Sequence, residues 1–303
     1  MGKLKEIGDD EIRIIGGGEK KSKKLVLTMA LGGAVLIVLI ITLALWLNRG
    51  SKAKPTPAES TPTEEVGLFE QEAVEVEQQE VYRFLGEPVD SLAAGYCEVK
   101  DMTVDGHPLR LYIPHNATLS LHVGRMDTDD RSIIYAAQAA DIRRDNGKIL
   151  GAFVMEGKEL AWGLTKKGFC ASIEGKVTVG VADNSPLFEE AVSKGGHFFR
   201  QYPLVKDGVA VENNPTNITV RRAICDRYGE IFMVESLEKL SFHDFSMALV
   251  SLGVEQGVYL VGSDAYGWAI DKRGRKHEFG VPNYYTGRRK MPKNTSYIVW
   301  RKR

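Results

Sequence analysis

An α+β domain with a mixed, largely antiparallel sheet and a few short helices, carried behind one transmembrane helix, is the fold this sequence predicts. Three observations predict it: one long uncharged apolar run near the start, short β-rich runs separated by glycine turns through the middle, and two well-punctuated helical stretches further on. The 303 residues carry 40 basic and 40 acidic side chains and are 43% hydrophobic, which suits a globular chain of one or two domains. Zero net charge also leaves no surplus of cations for binding phosphate backbones by counterion release, so no nucleic-acid partner is expected.

Taken in order, residues 1–24 form a polar segment ending in Lys20, Lys21, Lys23 and Lys24. The run Leu25 to Leu47 has no charge, and as a helix it spans about 35 Å, enough to cross a bilayer with some tilt. It continues through Trp46 without a small-residue cleavage site, so it reads as a retained anchor. The denser lysine cluster on its amino side puts the amino terminus in the cytoplasm and the bulk of the chain outside. Residues 48–82 are rich in Pro, Ser, Thr and Glu, with eight glutamates and no Lys or Arg between Pro55 and Tyr82. Such a stretch reads as a solvated linker, or as an acidic interaction segment.

The folded domain is expected over residues 83–303. CEVKDMTV, LRLYIP and TLSLHVG alternate like strands, with Asp105-Gly106 as a hairpin turn. ILGAFVM and GFCASI continue the pattern, with turns at Asn146-Gly147, Glu156-Gly157 and Glu174-Gly175. Ser185-Pro186 opens a short helix, LFEEAVSK, that stops at Gly195. Ser241 with Asp244 three residues on resembles a capping box, and Phe245, Ala248, Leu249 and Leu252 then follow helical spacing up to Gly253. GVYLVG after it reads as a buried strand leading into Ser263-Asp264.

The common catalytic and nucleotide-binding signatures are missing: no GxSxG, Walker loop, GxGxxG or HExxH. Cys97, Cys170 and Cys225 lie far apart without CxxC spacing, so no metal set is expected and no cofactor is named by the sequence. They read as one bridged pair plus a free thiol, or as three buried thiols. What remains are polar residues a core does not need. Asn213-Asn214-Pro215 precedes a strand-like ITV that ends in Arg221-Arg222. Strand alternation sends those arginines to opposite faces, making an inward one either an anion clamp or a structural ion pair. His197, between two glycines and two phenylalanines, reads as an acid–base candidate or as a packed structural residue.

From Ala136 to Asp271 the order AADIRRDNGKILGAFVMEGK, YPLVKDG, RRAIC, a capped helix ending in LG, and YLVGSDAYG resembles the phosphodiester glycosidase domain family. YPLVKDG is similar to that family's proline-leucine-valine turn, and RRAIC to its arginine-x-alanine strand, which implies Arg221 as the functional arginine. Two stretches depart from the pattern. Asp141-Ile142-Arg143 replaces an asparagine followed by two glycines. In place of Asn-Leu-Asp-Gly-Gly-Gly-Ser stands Tyr259-Leu260-Val261-Gly262-Ser263-Asp264-Ala265, so Val261 occupies the aspartate position.

The resemblance implies hydrolysis of the bond between a sugar's anomeric carbon and a phosphate oxygen. Asp141 and Asp264 are then the carboxylate pair, with His197 as a further catalytic candidate. Arg221, Arg222, Asn214 and Ser263 are the substrate-binding set. The alternative is an inactive relative that binds a phosphorylated glycan or an envelope protein. Between Lys272 and Arg303 lie eleven Lys or Arg and one Glu, interleaved with Tyr284, Tyr285, Tyr297 and Trp300. This tail suits a phosphorylated glycan or other anionic envelope partner, or is a final strand pair with solvated outer residues.

Overall fold

Strand segments dominate the chain because alternating apolar residues are punctuated by two-residue turns with positive φ. Asp105-Gly106, Glu156-Gly157, Glu174-Gly175, Asp207-Gly208 and Tyr228-Gly229 all take left-handed angles at both positions. That is the backbone of the hairpin turn whose twist matches the flanking strands. The computed structural model describes residues 85–88, 90–143, 145–281 and 292–303. The expected Leu25–Leu47 anchor, the linker, Tyr284 and Tyr285 lie outside these. No helix among the described residues is long and apolar enough to cross a membrane.

Among the described residues the strands form three sheets rather than a single one, and every pairing is antiparallel, without the mixed element of the expectation. The first sheet runs β1 (Tyr96–Val104), β2 (His107–His115), β13 (Glu230–Leu240), β12 (Thr219–Arg227), β14 (Gln256–Leu260), β10 (Pro203–Lys206), β11 (Val209–Ala210). The second runs β16 (Lys276–Phe279), β15 (Gly267–Ile270), β4 (Ile133–Gln138), β17 (Ser296–Lys302), β3 (Ala117–Val123). The third runs β6 (Lys158–Ala161), β5 (Phe153–Met155), β9 (His197–Gln201), β7 (Gly168–Ile173), β8 (Lys176–Val181). The expected ILGAFVM strand shortens to β5. Its first residue, Ile149, instead bridges Ile142 across a small loop.

One core joins all three sheets, with Cys97 and Tyr112 from the first, Leu119, Tyr135 and Trp300 from the second, and Phe153 and Phe199 from the third. A second core lies between the long sheet and a helix. That helix, α2 (Phe242–Ser251), starts where the Ser241 hydroxyl accepts from the Asp244 N–H at 3.0 Å and stops before Gly253, at φ 83°. Its Phe245, Ala248, Leu249 and Leu252 are buried as the spacing predicted, each large side chain contributing about 1.5–3 kcal/mol. The other helix, α1 (Leu187–Ser193), begins one residue later than predicted, its first N–H held 3.3 Å from the Ser185 hydroxyl.

The basic tail divides. Tyr297 and Trp300 are core residues of β17, exposed by only 3% and 5%, so they are not part of a surface for an anionic partner. Three residues apart, they face opposite sides of a central strand that is covered on both, and only the strand's end, at Arg301 and Lys302, reaches solvent. All three cysteines are buried free thiols, with burial pushing each well above its ordinary pKa.

Candidate functional site

Two arginines that are neighbours in sequence lie on opposite faces of β12, and their surroundings differ in one respect: the counter-charge. Arg222 is registered with Glu235 on β13, and its Nε and Nη2 donate to Glu235 Oε1 at 2.9 and 2.7 Å. Tyr112 donates to the other carboxylate oxygen at 2.8 Å. The remaining donors reach the carbonyls of Ala265 (2.8 Å), Val261 (3.2 Å) and Ser263 (3.4 Å). Phe279 closes the ring of contacts, 4.6 Å from the guanidinium. Arg222 is thus a fastener between the sheet and the 261–265 loop, without a donor left for substrate, because its whole fork is used inside the fold.

Arg221 sits at a bulge in the β12–β13 register, the kind of irregularity that re-aims a side chain. Its backbone N–H donates to the Ser236 hydroxyl at 2.8 Å instead of to the ladder. The guanidinium lies 3.9 Å over the Phe242 ring and 5.8 Å from Tyr259. Nε donates to the Leu240 carbonyl at 3.1 Å, and Nη2 to the backbone carbonyl and the side-chain oxygen of Asn217. It is 1% exposed, yet among the described residues no carboxylate forms an ion pair with it.

Around Tyr259 other polar groups gather. Asp141, directly beyond β4, is fixed by the Leu150 N–H donating to its carbonyl at 2.9 Å. Its carboxylate, about one-third exposed, accepts from Lys166 Nζ at 2.5 Å and Gln201 Nε2 at 3.0 Å. Lys166 is buried and also donates to Gln201 Oε1 at 2.6 Å, with its ammonium 4.2 Å from the centre of the Tyr202 ring. The rings of Tyr202, Phe242 and Tyr259 contact one another. They form an aromatic wall with Lys166 on one ring and Arg221 on another. The Tyr259 hydroxyl accepts from the Gly262 N–H at 3.1 Å. Burial pushes this phenol upward, and the charge of Asp141 adds to that, while the Gly262 N–H and Arg221 oppose it.

The 259–265 loop packs hard against β12. A Cβ on Gly262 would stand 2.1 Å from the Val220 carbonyl, so only glycine fits there. Ser263, at φ 51°, and Asp264 are both exposed. The Asp264 carboxylate has no side-chain partner among the described residues, and Ser263 engages the fold through its backbone, its N–H donating to Val220. The structure therefore brings Asp141 and Arg221 to one aromatic wall and gives Asp264 no contact with either.

Asn214 is exposed and holds no hydrogen bond among the described residues. Its neighbours do the work: Asn213 ties the loop to β10 through the Pro203 carbonyl at 2.8 Å, and Asn217 holds Arg221. His197 begins β9 while Gln201 ends it, about 13 Å apart at the strand rise. The histidine Nδ1 accepts from the Glu156 N–H at 3.3 Å, and burial lowers its pKa, opposed by Glu156. It belongs to the β5–β6 turn and not to the Asp141 group.

Lys166, Gln201, Tyr202 and Tyr259 were not singled out from the sequence. Lys166-Lys167 immediately before a buried strand was the available signal, since alternation turns one of the two inward. Gln201 ends β9 without a comparable mark, and Tyr202 enters the sequence reading only as the first residue of YPLVKDG. Among the described residues no group of three or more His, Cys, Asp or Glu is spaced to hold a metal ion.

No family model and no curated protein sequence matches this chain. Among solved structures it is similar to the zebrafish N-acetylglucosamine-1-phosphodiester alpha-N-acetylglucosaminidase catalytic domain, auto-inhibited by its pro-peptide. The identity is 11%, the TM-score 0.49, and the match covers 69% of this chain and 83% of that one. A hypothetical protein from Synechocystis is matched at 10% identity and TM-score 0.47, over 69% and 62% of the two chains.

Proposed function

We propose that this chain is a membrane-anchored, extracytoplasmic phosphodiester glycosidase-like protein that hydrolyses a sugar-1-phosphate diester in envelope glycan metabolism. The observation that carries the reading is Arg221: a buried guanidinium without a carboxylate partner among the described residues, on the same aromatic wall as Lys166, which is paired with Asp141. A buried cation lacking its counter-charge is costly, and a ligand phosphate supplies that charge. The sequence resemblance points to the same arginine, and the Leu25–Leu47 run supports anchoring and export.

In this mechanism Arg221 and Lys166 face the phosphate, and Asp141 takes a proton from water as its oxygen attacks the anomeric carbon. The bond from that carbon to the phosphate oxygen breaks, and the electron pair leaves on the phosphate, where fixed cations stabilise the developing charge. A phosphate ester is a good leaving group, so a second carboxylate acting as acid is not required. Asp264, without contact to Asp141, is then dispensable.

The second reading, an inactive relative that binds a phosphorylated glycan, is favoured by Val261 at the position where the family carries aspartate. Release of free N-acetylhexosamine from a panel of sugar-1-phosphodiesters by the full chain in detergent separates the two. The expected result is turnover that falls by about 10²–10³-fold in Arg221→Ala and at least as far in Asp141→Asn, a near-isosteric change that spares the packing. Binding of sugar phosphates without turnover selects the inactive relative, and neither binding nor turnover removes both.

A further inference from the structure

The loop that delivers Lys166 also displays the most exposed large aromatic ring among the described residues outside the turns. Trp162 is 67% exposed, flanked at alternate positions by Leu160 at 36% and Leu164 at 44%. They follow one another at the end of the edge strand β6, where Leu160 is the extra residue of a bulge against β5. Contiguous exposed apolar side chains of this kind mark contact surfaces. The ring stands on a built support. The Gly163 carbonyl accepts from the Ala152 N–H at 3.1 Å, and Gly163 lies beside Gly151, whose Cα is 3.4 Å from where a Cβ on Gly163 would stand. At the other end of the loop the Lys166 carbonyl accepts from Arg200 at 3.1 Å. Leu150, next to Gly151, is the residue whose N–H holds the Asp141 backbone. Trp162 is therefore anchored, through one glycine pair, to the segment that carries Asp141 and, through four residues, to Lys166.

We infer that Trp162 is the platform on which a pyranose ring of the ligand stacks while its phosphate is held by Lys166 and Arg221. The inference rests on the sugar-phosphate reading above and names its sugar-binding part. An indole offers a flat apolar face to the C–H face of a sugar and keeps a polar edge toward water. An aromatic ring beside a small set of convergent polar groups is the usual composition of such sites.

Fluorescence tests this directly, because Trp268 and Trp300 are buried at 1% and 5% exposure and Trp162 is the accessible indole among the described residues. Acrylamide quenching of the full chain in detergent, taken as the difference from Trp162→Leu, reports that ring. The probes are N-acetylglucosamine 1-phosphate and inorganic phosphate, with affinities measured in parallel by calorimetry. The sugar phosphate is expected to shield Trp162 and inorganic phosphate to leave it open. Trp162→Leu is expected to weaken the sugar phosphate by about five- to tenfold and inorganic phosphate by less than twofold. Sugar-phosphate binding with an unshielded ring and an unchanged variant overturns the platform and leaves the proposed function standing. Failure of both probes to bind the wild type removes the function and the platform together. Shielding by anionic phospholipid vesicles with no sugar phosphate present makes the patch a lipid contact and overturns the inference.

Discussion

Arg221 and Arg222 share a strand, an almost complete burial and the same chemistry, yet one faces a carboxylate across the sheet and the other does not. The Arg222 side is closed: Glu235 and three loop carbonyls accept from every donor, Tyr112 donates to Glu235, and Phe279 covers the guanidinium. The Arg221 side is open in charge: aromatic rings and neutral oxygens surround it, while the Asp141 carboxylate is engaged by Lys166 and Gln201. Burial of an arginine thus says little about its role until the counter-charge has been found. The closed side holds the 261–265 loop in place, and the open side is what that loop borders.

The comparison breaks most visibly in Arg222→Met. Removing one partner of a buried pair leaves Glu235 uncompensated, and a loss of about 3–5 kcal/mol is expected, read as a lowered urea midpoint with an unchanged slope. Arg221→Ala sharpens the contrast: its main effect is the 10²–10³-fold loss in release stated above, with a smaller shift in midpoint because no ion pair is broken. Equal stability losses in the two variants, with activity intact in Arg221→Ala, would erase the distinction between the faces.

A smaller effect tests His197 as part of the packing. Its pKa is lowered by burial, so the unfolded chain binds the proton more readily. Stability from this group is present above the unfolded pKa of about 6.5 and is lost as pH falls through the lower folded value. His197→Asn is expected to flatten the acid side of the stability profile, compared by urea unfolding at pH 7 and pH 5, while leaving turnover at pH 7 within twofold. A lost turnover would return His197 to the chemistry. Smallest of all, Asp264→Asn is expected to change stability by less than about 0.5 kcal/mol and turnover by less than twofold, checked in the same assays. A large drop in turnover would restore Asp264 as the second carboxylate.

Much of the fold was legible because its signals are local. Turn pairs such as Glu174-Gly175 need positive φ, and the Ser241 cap with its apolar spacing specifies α2 from within twelve residues. The opposite faces of Arg221 and Arg222 likewise follow from strand geometry alone. The division into three sheets was not legible, since pairings such as β13 with β2 and β17 with β4 join distant segments. The grouping around the proposed site was legible only in part, as residues named in the sequence and not as contacts. Asp141 and Arg221 are named by the sequence, whereas Lys166 and Gln201, 25 and 60 residues from Asp141, become its partners only through folding. For Arg222 the sequence leaves an anion clamp and a structural ion pair open, and the pair with Glu235 appears only when β12 and β13 are set side by side. Asp264 is singled out by its place in a motif, whereas its side chain holds no hydrogen bond or ion pair among the described residues.

The most direct test of the central claim is the position of phosphorus in a crystal of the full chain grown with a non-hydrolysable sugar-1-phosphonate diester. The phosphonate oxygens are expected within hydrogen-bond distance of both Arg221 and Lys166, with the anomeric carbon toward Asp141 and Arg222 still paired to Glu235. A phosphonate bound on the exposed basic residues after Lys272, with the Arg221 face unchanged, would contradict it.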